Sequence, residues 1–548
     1  MLQLQSRTIG ILATLIMSTA IASGAEVLAA QYLAGDVDLS ASVDAVDVQT
    51  VINAALGLPT SSDTNLDSSG ETSAVDVQLV INAALGAPID ADGDSLADVA
   101  ENGIGSNPAV ADTDGDALGD GHEVRLGMNP TVYDAIEPLT LARKSEIFEY
   151  HLRQRSVLGG QVVAVRRAVP ARPYVAYHLS DNAYMTGIYL GMLAMKNAVT
   201  GDPATRSQAG ETIRALDLLC NVTGKKGLLA RGAVRLDQPT VDTKEMHLSA
   251  DGQYWWRGDV SSDQMDGVFY GFSLAYDLAA NDEEKAIIAR NARNLLDHLL
   301  ENGLRIVDVD GEPTSWGHYE PEYVNNYEPM NALLFLQHVK VTAQVTGDPY
   351  YDQIYQEYAY NQNYANVALM ARIMDDPVAG DVNHSDDVLL YLAFYPLLRL
   401  ENDPVLRGKY LTSLARMWNG ADGYPGVSPE ANPLHTFNVH AYLNASGSDA
   451  AAIQTLQWFP LEMKWTPVRI EQYERELGFV NDPRVHSPEP LPGQPVPIDR
   501  RASAWSAWTQ DPYVAGAKDP NSEKESNGHD YSAAYWLGRY HGYITEEM

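Results

Sequence analysis

Asn182-Ala-Tyr-Met-Thr-Gly-Ile-Tyr-Leu-Gly-Met-Leu-Ala-Met-Lys-Asn-Ala-Val199 is the stretch whose reading decides the fold. It has a helical composition and is apolar on nearly every face, with Gly187 and Gly191 interspersed. A helix that is apolar all round must be buried all round. A second stretch of the same kind runs Asp263-Gln-Met-Asp-Gly-Val-Phe-Tyr-Gly-Phe-Ser-Leu-Ala-Tyr-Asp-Leu-Ala-Ala280 and carries Gly267 and Gly271. Thr200-Gly-Asp-Pro203 closes the first, since a proline just past the stop cannot continue a helix.

Working outward, the same texture covers the chain from about 137 to its end. Buried-type segments fall at about 182–199, 263–280, 328–346, 386–401, 433–445 and 528–544, most of them opened by a polar cluster. Amphipathic segments lie between them, at about 140–155, 206–220, 283–301, 351–373, 406–418 and 450–459. Thr346-Gly-Asp-Pro349 and Glu401-Asn-Asp-Pro404 repeat the short proline turn. Outer helix, long loop, inner helix and short turn, six times over, predict a mainly α domain closed into an (α/α)6 toroid. An α-solenoid is the alternative, but repeats this unequal favour a closed ring. In architecture this resembles the six-hairpin glycosidase-like group. The resemblance implies a carbohydrate-active domain, either glycoside hydrolase or polysaccharide lyase.

If the inner helices run parallel, the long loops before them meet at one end. Those loops hold Tyr177-His178-Leu-Ser180-Asp181, Trp255-Trp256-Arg257-Gly-Asp259, Trp316-Gly-His318-Tyr319-Glu320, Asn325, Asn383-His384-Ser-Asp386-Asp387, Tyr424, His435 and His529-Asp530-Tyr531. Aromatic faces pack on sugar C–H surfaces, and a concave face with a few polar groups is the default binding site. Glycoside hydrolysis needs two carboxyls flanking the bond. The pair is drawn from Asp181, Asp259, Asp263 and Glu320. His178, Trp255, Trp256, Arg257, Tyr319, Asn325, His384 and His529 are the expected substrate contacts. For Asp181, Asp263, Asp386 and Asp530 the competing reading is simple N-capping, which aspartate does well. Asp266, one turn into its helix, would be a buried carboxylate needing a partner such as Arg257. A lyase would use His or Tyr to abstract the C5 proton of a uronate, with Arg257 neutralising its carboxylate.

The first quarter of the chain has a different pattern. Four loops place oxygen-bearing residues at positions 1, 3, 5, 9 and 12. They are Asp36, Asp38, Ser40, Asp44 and Asp47; Asn65, Asp67, Ser69, Ser73 and Asp76; Asp90, Asp92, Asp94, Asp98 and Glu101; and Asp112, Asp114, Asp116, Asp120 and Glu123. A twelve-residue loop with this spacing wraps oxygens around one Ca2+ ion. Loops one and two run into nearly the same helix, Val48-Gln-Thr-Val-Ile-Asn-Ala-Ala-Leu-Gly57 and Val77-Gln-Leu-Val-Ile-Asn-Ala-Ala-Leu-Gly86, with Val48, Val51, Ile52, Ala55 and Leu56 on one face. Over about 33–88 this resembles a dockerin domain, which implies two calcium ions and a cohesin-like partner. Loop two offers fewer carboxylates and should bind more weakly. Loops three and four, at about 89–131, are followed by Asn-Gly-Ile-Gly-Ser-Asn-Pro and Val-Arg-Leu-Gly-Met-Asn-Pro. They are similar to bacterial thrombospondin type 3 repeats, which implies a calcium-stiffened spacer.

Composition agrees with this division. The formal charge of −36, from 73 acidic against 37 basic residues, argues against nucleic acid or an anionic membrane as partner. Cys220 is the one cysteine, so no internal disulfide forms. Residues 1–25, with Arg7 ahead of an apolar run and Ser23-Gly-Ala25 after it, read as a secretion signal. The apolar run is shorter than the roughly 20 residues a membrane span needs. The expectation is a secreted calcium-binding protein that cleaves a polysaccharide or oligosaccharide. The alternative is a non-catalytic carbohydrate-binding or surface-assembly protein docking a cohesin-like partner.

Overall fold

The computed structural model describes residues 33–37, 43–58, 60, 62, 64–67, 69, 71–94, 96–114, 120–125, 129–132, 140–166, 172, 174–372, 383–421, 424–459, 494–498, 501, 506–513, 524 and 528–548. The expected signal segment, and Asp38, Ser40 and Asp116 of the loops, lie outside the described residues. The chain divides into two compact units. One is Met1–Pro138 with Arg167–Val175 and Pro467–His486; the other is Leu139–Arg166, Ala176–Thr466 and Ser487–Met548. The two short segments of the first unit fall inside the range expected to be toroid.

In the first unit, α1 (Ala45–Ala55) and α2 (Ala74–Ala84) pack on each other. Asp44 and Ser73, at loop position 9, cap them and accept from Val46 and Val75 N–H groups. Val37, Val51 and Val80 form the small core. Leu56, expected on the buried face, is exposed, as is its counterpart Leu85. Each lies past its helix end, where the apolar stripe has already turned away from the partner. The two later loops open α3 (Asp98–Ile104) and α4 (Asp120–Arg125). Their backbones repeat: Ala91 N–H donates to Asp98 and Thr113 N–H to Asp120, both at 2.7 Å.

The second unit alternates outer and inner helices. They are α5 (Leu141–His151), α6 (Asn182–Thr200), α7 (Pro203–Asn221), α8 (Ser262–Leu278), α9 (Asp282–Glu301), a short α10 (Pro321–Asn326), α11 (Met330–Thr346), α12 (Pro349–Gln356), a short α13 (Tyr364–Val367), α14 (His384–Leu400), α15 (Pro404–Asn419), α16 (Pro433–Leu443), α17 (Asp449–Trp458) and α18 (His529–Tyr540). The inner members α6, α8, α11, α14, α16 and α18 each pack on the next, and α18 packs on α6. That ring closes the (α/α)6 toroid.

The inner helices are parallel. Tyr184 meets Gly267, Gly187 meets Gly267 and Gly271, and Gly191 meets Tyr270 and Leu274, so both chains ascend together. A Cβ on Gly187 would stand 2.0 Å from the Gly267 carbonyl oxygen. Only glycine lets the two backbones come so close. Asp266 with Gln337, Ser273 with Gln344, Tyr391 with His435 and Tyr395 with Tyr442 extend the same direction around the ring. Tyr270 and Tyr395 meet across it at 6.1 Å, so the ring is filled. All six inner N-termini therefore share one end.

One expected outer helix is broken. The span 351–373 becomes α12, a π-turn at Glu357–Asn361 and α13, with Asn363 at φ +66° between them. Asparagine tolerates this left-handed conformation. The break turns Tyr364 into the core, where its hydroxyl donates to the Tyr319 carbonyl.

Small antiparallel strand pairs decorate the loops: β1 (Val157–Leu158) with β2 (Gln161–Val162), and β3 (Ala164–Arg166) with β4 (Ala176–His178). A three-stranded sheet follows, in the order β5 (Gly232–Arg235), β7 (Tyr254–Arg257), β6 (Met246–Leu248). Then β8 (Arg305–Val307) pairs β9 (Pro313–His318). Among the described residues no helix is long and apolar enough to cross a membrane.

Candidate active site at the mouth of the ring

The sheet β5–β7–β6 is stitched to the N-terminal ends of α6 and α8 by Arg231, which the sequence reading missed. Its backbone joins β7 to α6: Arg231 N–H donates to the Arg257 carbonyl, and Ala183 N–H donates to the Arg231 carbonyl. Its side chain joins the loops before α6 and α8, donating to the Asp259 carbonyl at 2.6 Å and the Ser180 carbonyl at 3.1 Å. It also stands 3.6 Å from an Asp181 carboxylate oxygen. A lone arginine in Leu-Leu-Ala-Arg-Gly carries no sequence signal for this.

Asp181 sits at the N-cap position of α6, yet its side chain caps nothing. It accepts instead from Ser180 Oγ at 2.8 Å and from the Gln264 amide at 3.1 Å. Asp263 is not the cap of α8 either. Ser261 holds that position, and its N–H donates to Gln264 Oε1 at 2.8 Å. Asp386 lies inside the first turn of α14, which Asn383 caps. Asp530 lies inside α18, accepting from Ala507 and Tyr531 N–H groups. The capping explanation therefore fails for all four aspartates.

Burial first, and then the negative charge of Asp181, holds the Asp263 carboxyl above the usual carboxylate range; Arg231 and a hydrogen bond with Ser261 oppose the shift. Asp266 lies one turn deeper, fully buried, and neither carboxyl oxygen has a hydrogen-bond partner. Burial and the charge of Asp263 push it far up, only partly offset by the Gln337 amide beside it. Arg257, its expected partner, pairs with Asp242 at 2.9 Å instead. Arg257 is anchored in the sheet, so its side chain follows β7. Asp181, Asp263, Asp266 and Asp530 all act on the Tyr184 hydroxyl, which burial has already pushed up. These four carboxyls lie near enough to Tyr184 for their charges to act on it.

The other expected residues divide into two groups. Asp259 is a corner: φ is +52°, its N–H donates to Asp308 and its Oδ1 accepts from Ser315 N–H, both at 2.7 Å. Glu320 is engaged by Arg305 at 2.9 Å and His318 at 3.2 Å. His178 is half-buried between Ser180 Oγ at 2.9 Å and Asp242 at 3.4 Å, and burial lowers it below the ordinary imidazole range. Trp255 is exposed, and so is Asn325. Trp256, Tyr319 and His529, expected to touch substrate, are buried. Strand alternation sends Trp256 inward, where it stacks on His247 at 4.4 Å. Tyr319 faces His338 in the core, at 3.2 Å. His384 lies at the start of α14, in a second polar group with Asp387 and Glu430.

A cavity of about 550 Å³ opens at the opposite end, lined by Tyr395, Arg399, Glu401, Arg407, Tyr442 and His541. Its one carboxylate, Glu401, is already held by Lys340 and Tyr355. The mouth, not this cavity, has two carboxyls in unlike settings.

In the first unit the residues at loop position 12, Asp47, Asp76, Glu101 and Glu123, are all fully buried. Asp47 and Asp76 accept backbone N–H groups of their own loops, Asp47 from Val37 and Asp44, and Asp76 from Asp67 and Ser73. Neither Glu101 carboxylate oxygen has a hydrogen-bond partner, nor has Asp92 Oδ2. Asp94, Glu101 and Asp120 bring carboxylate oxygens within 4.8 Å of one another, as do Asp90, Asp92 and Asp94. Burial and the surrounding carboxylates push Asp94 up to about 7 and Glu101 up to about 8. An all-oxygen set with buried, unpaired carboxylates suits a hard divalent cation.

No protein-family profile matches the chain, and no curated protein matches it by sequence. Among solved structures it is similar to a GH76 α-mannanase of Bacteroides thetaiotaomicron, at 11% identity and TM-score 0.38, over 77% of this chain and 98% of that one. An unsaturated glucuronyl hydrolase specific for heparin gives 11% and 0.35 over 74% and 97%. A sugar epimerase from a ruminal bacterium gives 11% and 0.36 over 67% and 90%.

Proposed function

We propose that the toroid is a glycoside hydrolase acting on a polysaccharide or oligosaccharide, with Asp263 as proton donor and Asp181 as its partner carboxylate. The observation that carries this reading is the pair itself. Burial raises the pKa of Asp263, beside a second carboxyl that accepts from Ser180 and Gln264. A carboxyl raised by burial suits the acid role, and a second, hydrogen-bonded carboxyl beside it suits the other role. Asp263 would protonate the leaving oxygen. Asp181, oriented by Ser180, Gln264 and Arg231, would act on the sugar or on water. Trp255, exposed on β7, supplies an aromatic face for a sugar ring.

The lyase reading rests on His178, kept neutral by burial and able in principle to take a proton. Incubation with a panel of glycans separates the readings. New reducing ends without ultraviolet absorbance support hydrolysis. Absorbance from an unsaturated uronate would replace it with elimination, and binding without either product would leave a carbohydrate-binding protein.

The first unit is read as a secreted calcium-binding arm. Asp90, Asp92, Asp94, Asp98, Glu101, Asp112, Asp114, Asp120 and Glu123 would hold Ca2+ in the later loops. Asp36, Asp44, Asp47, Asn65, Asp67, Ser69, Ser73 and Asp76 would do so in the earlier ones. The ion supplies charge that the buried carboxylates lack. Val46 and Val75 in α1 and α2, and Leu56 and Leu85 just past their ends, are exposed at matching positions. They support a docking role toward a cohesin-like partner. Retention of such a partner in a pull-down should vanish with chelator; retention that ignores chelator would refute the docking role.

A further inference from the structure

A second polar group at the mouth lies at the N-terminal ends of α14 and α16, and the hydrolase reading does not use it. His384 Nδ1 stands 3.7 Å from Asp387 Oδ2 and 3.8 Å from Glu430 Oε1. One ligand atom from each of the three lies within 4.8 Å of the others. A tetrahedral ion with bonds of about 2.0–2.2 Å separates its ligands by about 3.3–3.6 Å. The two spacings from His384, 3.7 and 3.8 Å, are slightly wider than this.

The surroundings are those of a supported site. Arg372 grips Asp387 with two bonds, Nε to Oδ1 at 2.6 Å and Nη2 to Oδ2 at 3.0 Å. This fixes the carboxylate and leaves each oxygen a second lone pair. On the other side of the imidazole, His384 Nε2 faces Asp511 Oδ1 at 3.7 Å. A carboxylate behind a ligating histidine orients the ring and raises its basicity. Arg501 is spent on backbone carbonyls, bonding those of Val496 and Glu430.

A separate observation points inward. The Tyr391 hydroxyl is fully buried and has no hydrogen-bond partner, and Asp387 and Glu430 are near enough for their charges to act on it. Tyr391 stacks on His435 at 4.1 Å, and His435 Nδ1 is likewise buried without a partner. Buried polar groups are normally satisfied, so unpaired ones beside a ligand triad mark a missing occupant.

We propose that His384 Nδ1, Asp387 and Glu430 form a site for one divalent transition-metal ion, zinc by its donor set. An imidazole nitrogen with two carboxylates favours zinc over the all-oxygen ions of the N-terminal loops. The site is independent of the roles given to Asp181 and Asp263.

The test uses the full chain, stripped with chelator and then saturated with Ca2+ so that the loops are filled. Zinc is titrated calorimetrically, and Co2+ is added in parallel for its visible absorbance. One equivalent of zinc is expected, with E430Q and H384A each weakening it about 100-fold or more, since even outer-shell changes cost 10–100-fold. H318A, which alters another mouth histidine, should bind zinc as the parent does. Circular dichroism confirms that each variant is folded, and E430Q, which keeps the side chain's shape, covers the case in which H384A is not. Failure of the calcium-saturated parent to take up zinc, or undiminished uptake by folded E430Q, overturns the site. So does loss of the ion in H318A but not in E430Q.

Discussion

Glu401 in the ring and Glu101 in the N-terminal unit are buried carboxylates with opposite surroundings. In the ring the partners come from within the chain. Glu149 meets Lys196 and the Trp536 indole, Glu284 meets Arg206, and Glu401 meets Lys340 and Tyr355. In the N-terminal unit Glu101 is as deeply buried, yet its neighbours are other carboxylates and neither oxygen is bonded. A buried charge without a partner is costly, so a protein either supplies the partner or leaves room for one from outside. Among the described residues of the ring, Asp266 is then informative, fully buried with neither carboxyl oxygen hydrogen-bonded. Burial raises the pKa of both Asp266 and its neighbour Asp263.

The largest effect that could break this contrast is at Asp263. D263N should lower glycan cleavage by about 10²–10⁴-fold, the usual worth of a general acid, with an unchanged melting temperature. Because burial raises this carboxyl, the active protonated form persists to higher pH than for a free aspartate. The rate should fall as pH rises through that raised pKa, and the alkaline limb should disappear in D263N. A folded D263N of full activity would remove Asp263 from the site.

Next comes the ring's internal pairing. E401A leaves Lys340 and Tyr355 unanswered and should cost about 3–5 kcal/mol in urea unfolding. The corresponding change in the other unit should behave differently. In chelator, E101Q should leave stability unchanged or raise it, because it removes a carboxyl that burial among other carboxylates holds up to about 8, at a cost to the fold. In Ca2+ the parent should gain about 2.7 kcal/mol per site at a hundredfold excess over Kd, and E101Q should forfeit one site's share. Equal destabilisation by E401A and by E101Q in chelator would erase the contrast. The smallest expected effect is at Asp266. If its carboxyl is neutral, D266N replaces one uncharged group by another, and activity should stay within about tenfold of the parent.

How much was legible beforehand follows from the range of each interaction. The ring could be read because an all-round apolar helix has only one fate, and proline turns mark its ends. The spacing of the acidic loops could be read because their oxygen-bearing residues recur within twelve consecutive residues. The mouth was only half legible. Asp181 and Asp263 were candidates, but nothing local distinguished them from N-caps. Trp255 and Trp256 are adjacent, and only the pairing of β7 between β5 and β6 decides which one faces outward. Arg231 and Glu430 drew no attention because their partners lie far off in sequence: Arg231 works on residues 180, 181 and 259, and Glu430 on 384.

The sequence by itself determined that this chain builds helices apolar on every side and loops spaced for an oxygen-loving ion, since both patterns are short-range and repeat. Only the tertiary structure decided which carboxyls have a cation beside them, which aromatics reach solvent and which histidines meet acids. Those outcomes depend on where distant segments come to rest, and desolvation and charge act through space, not along the chain.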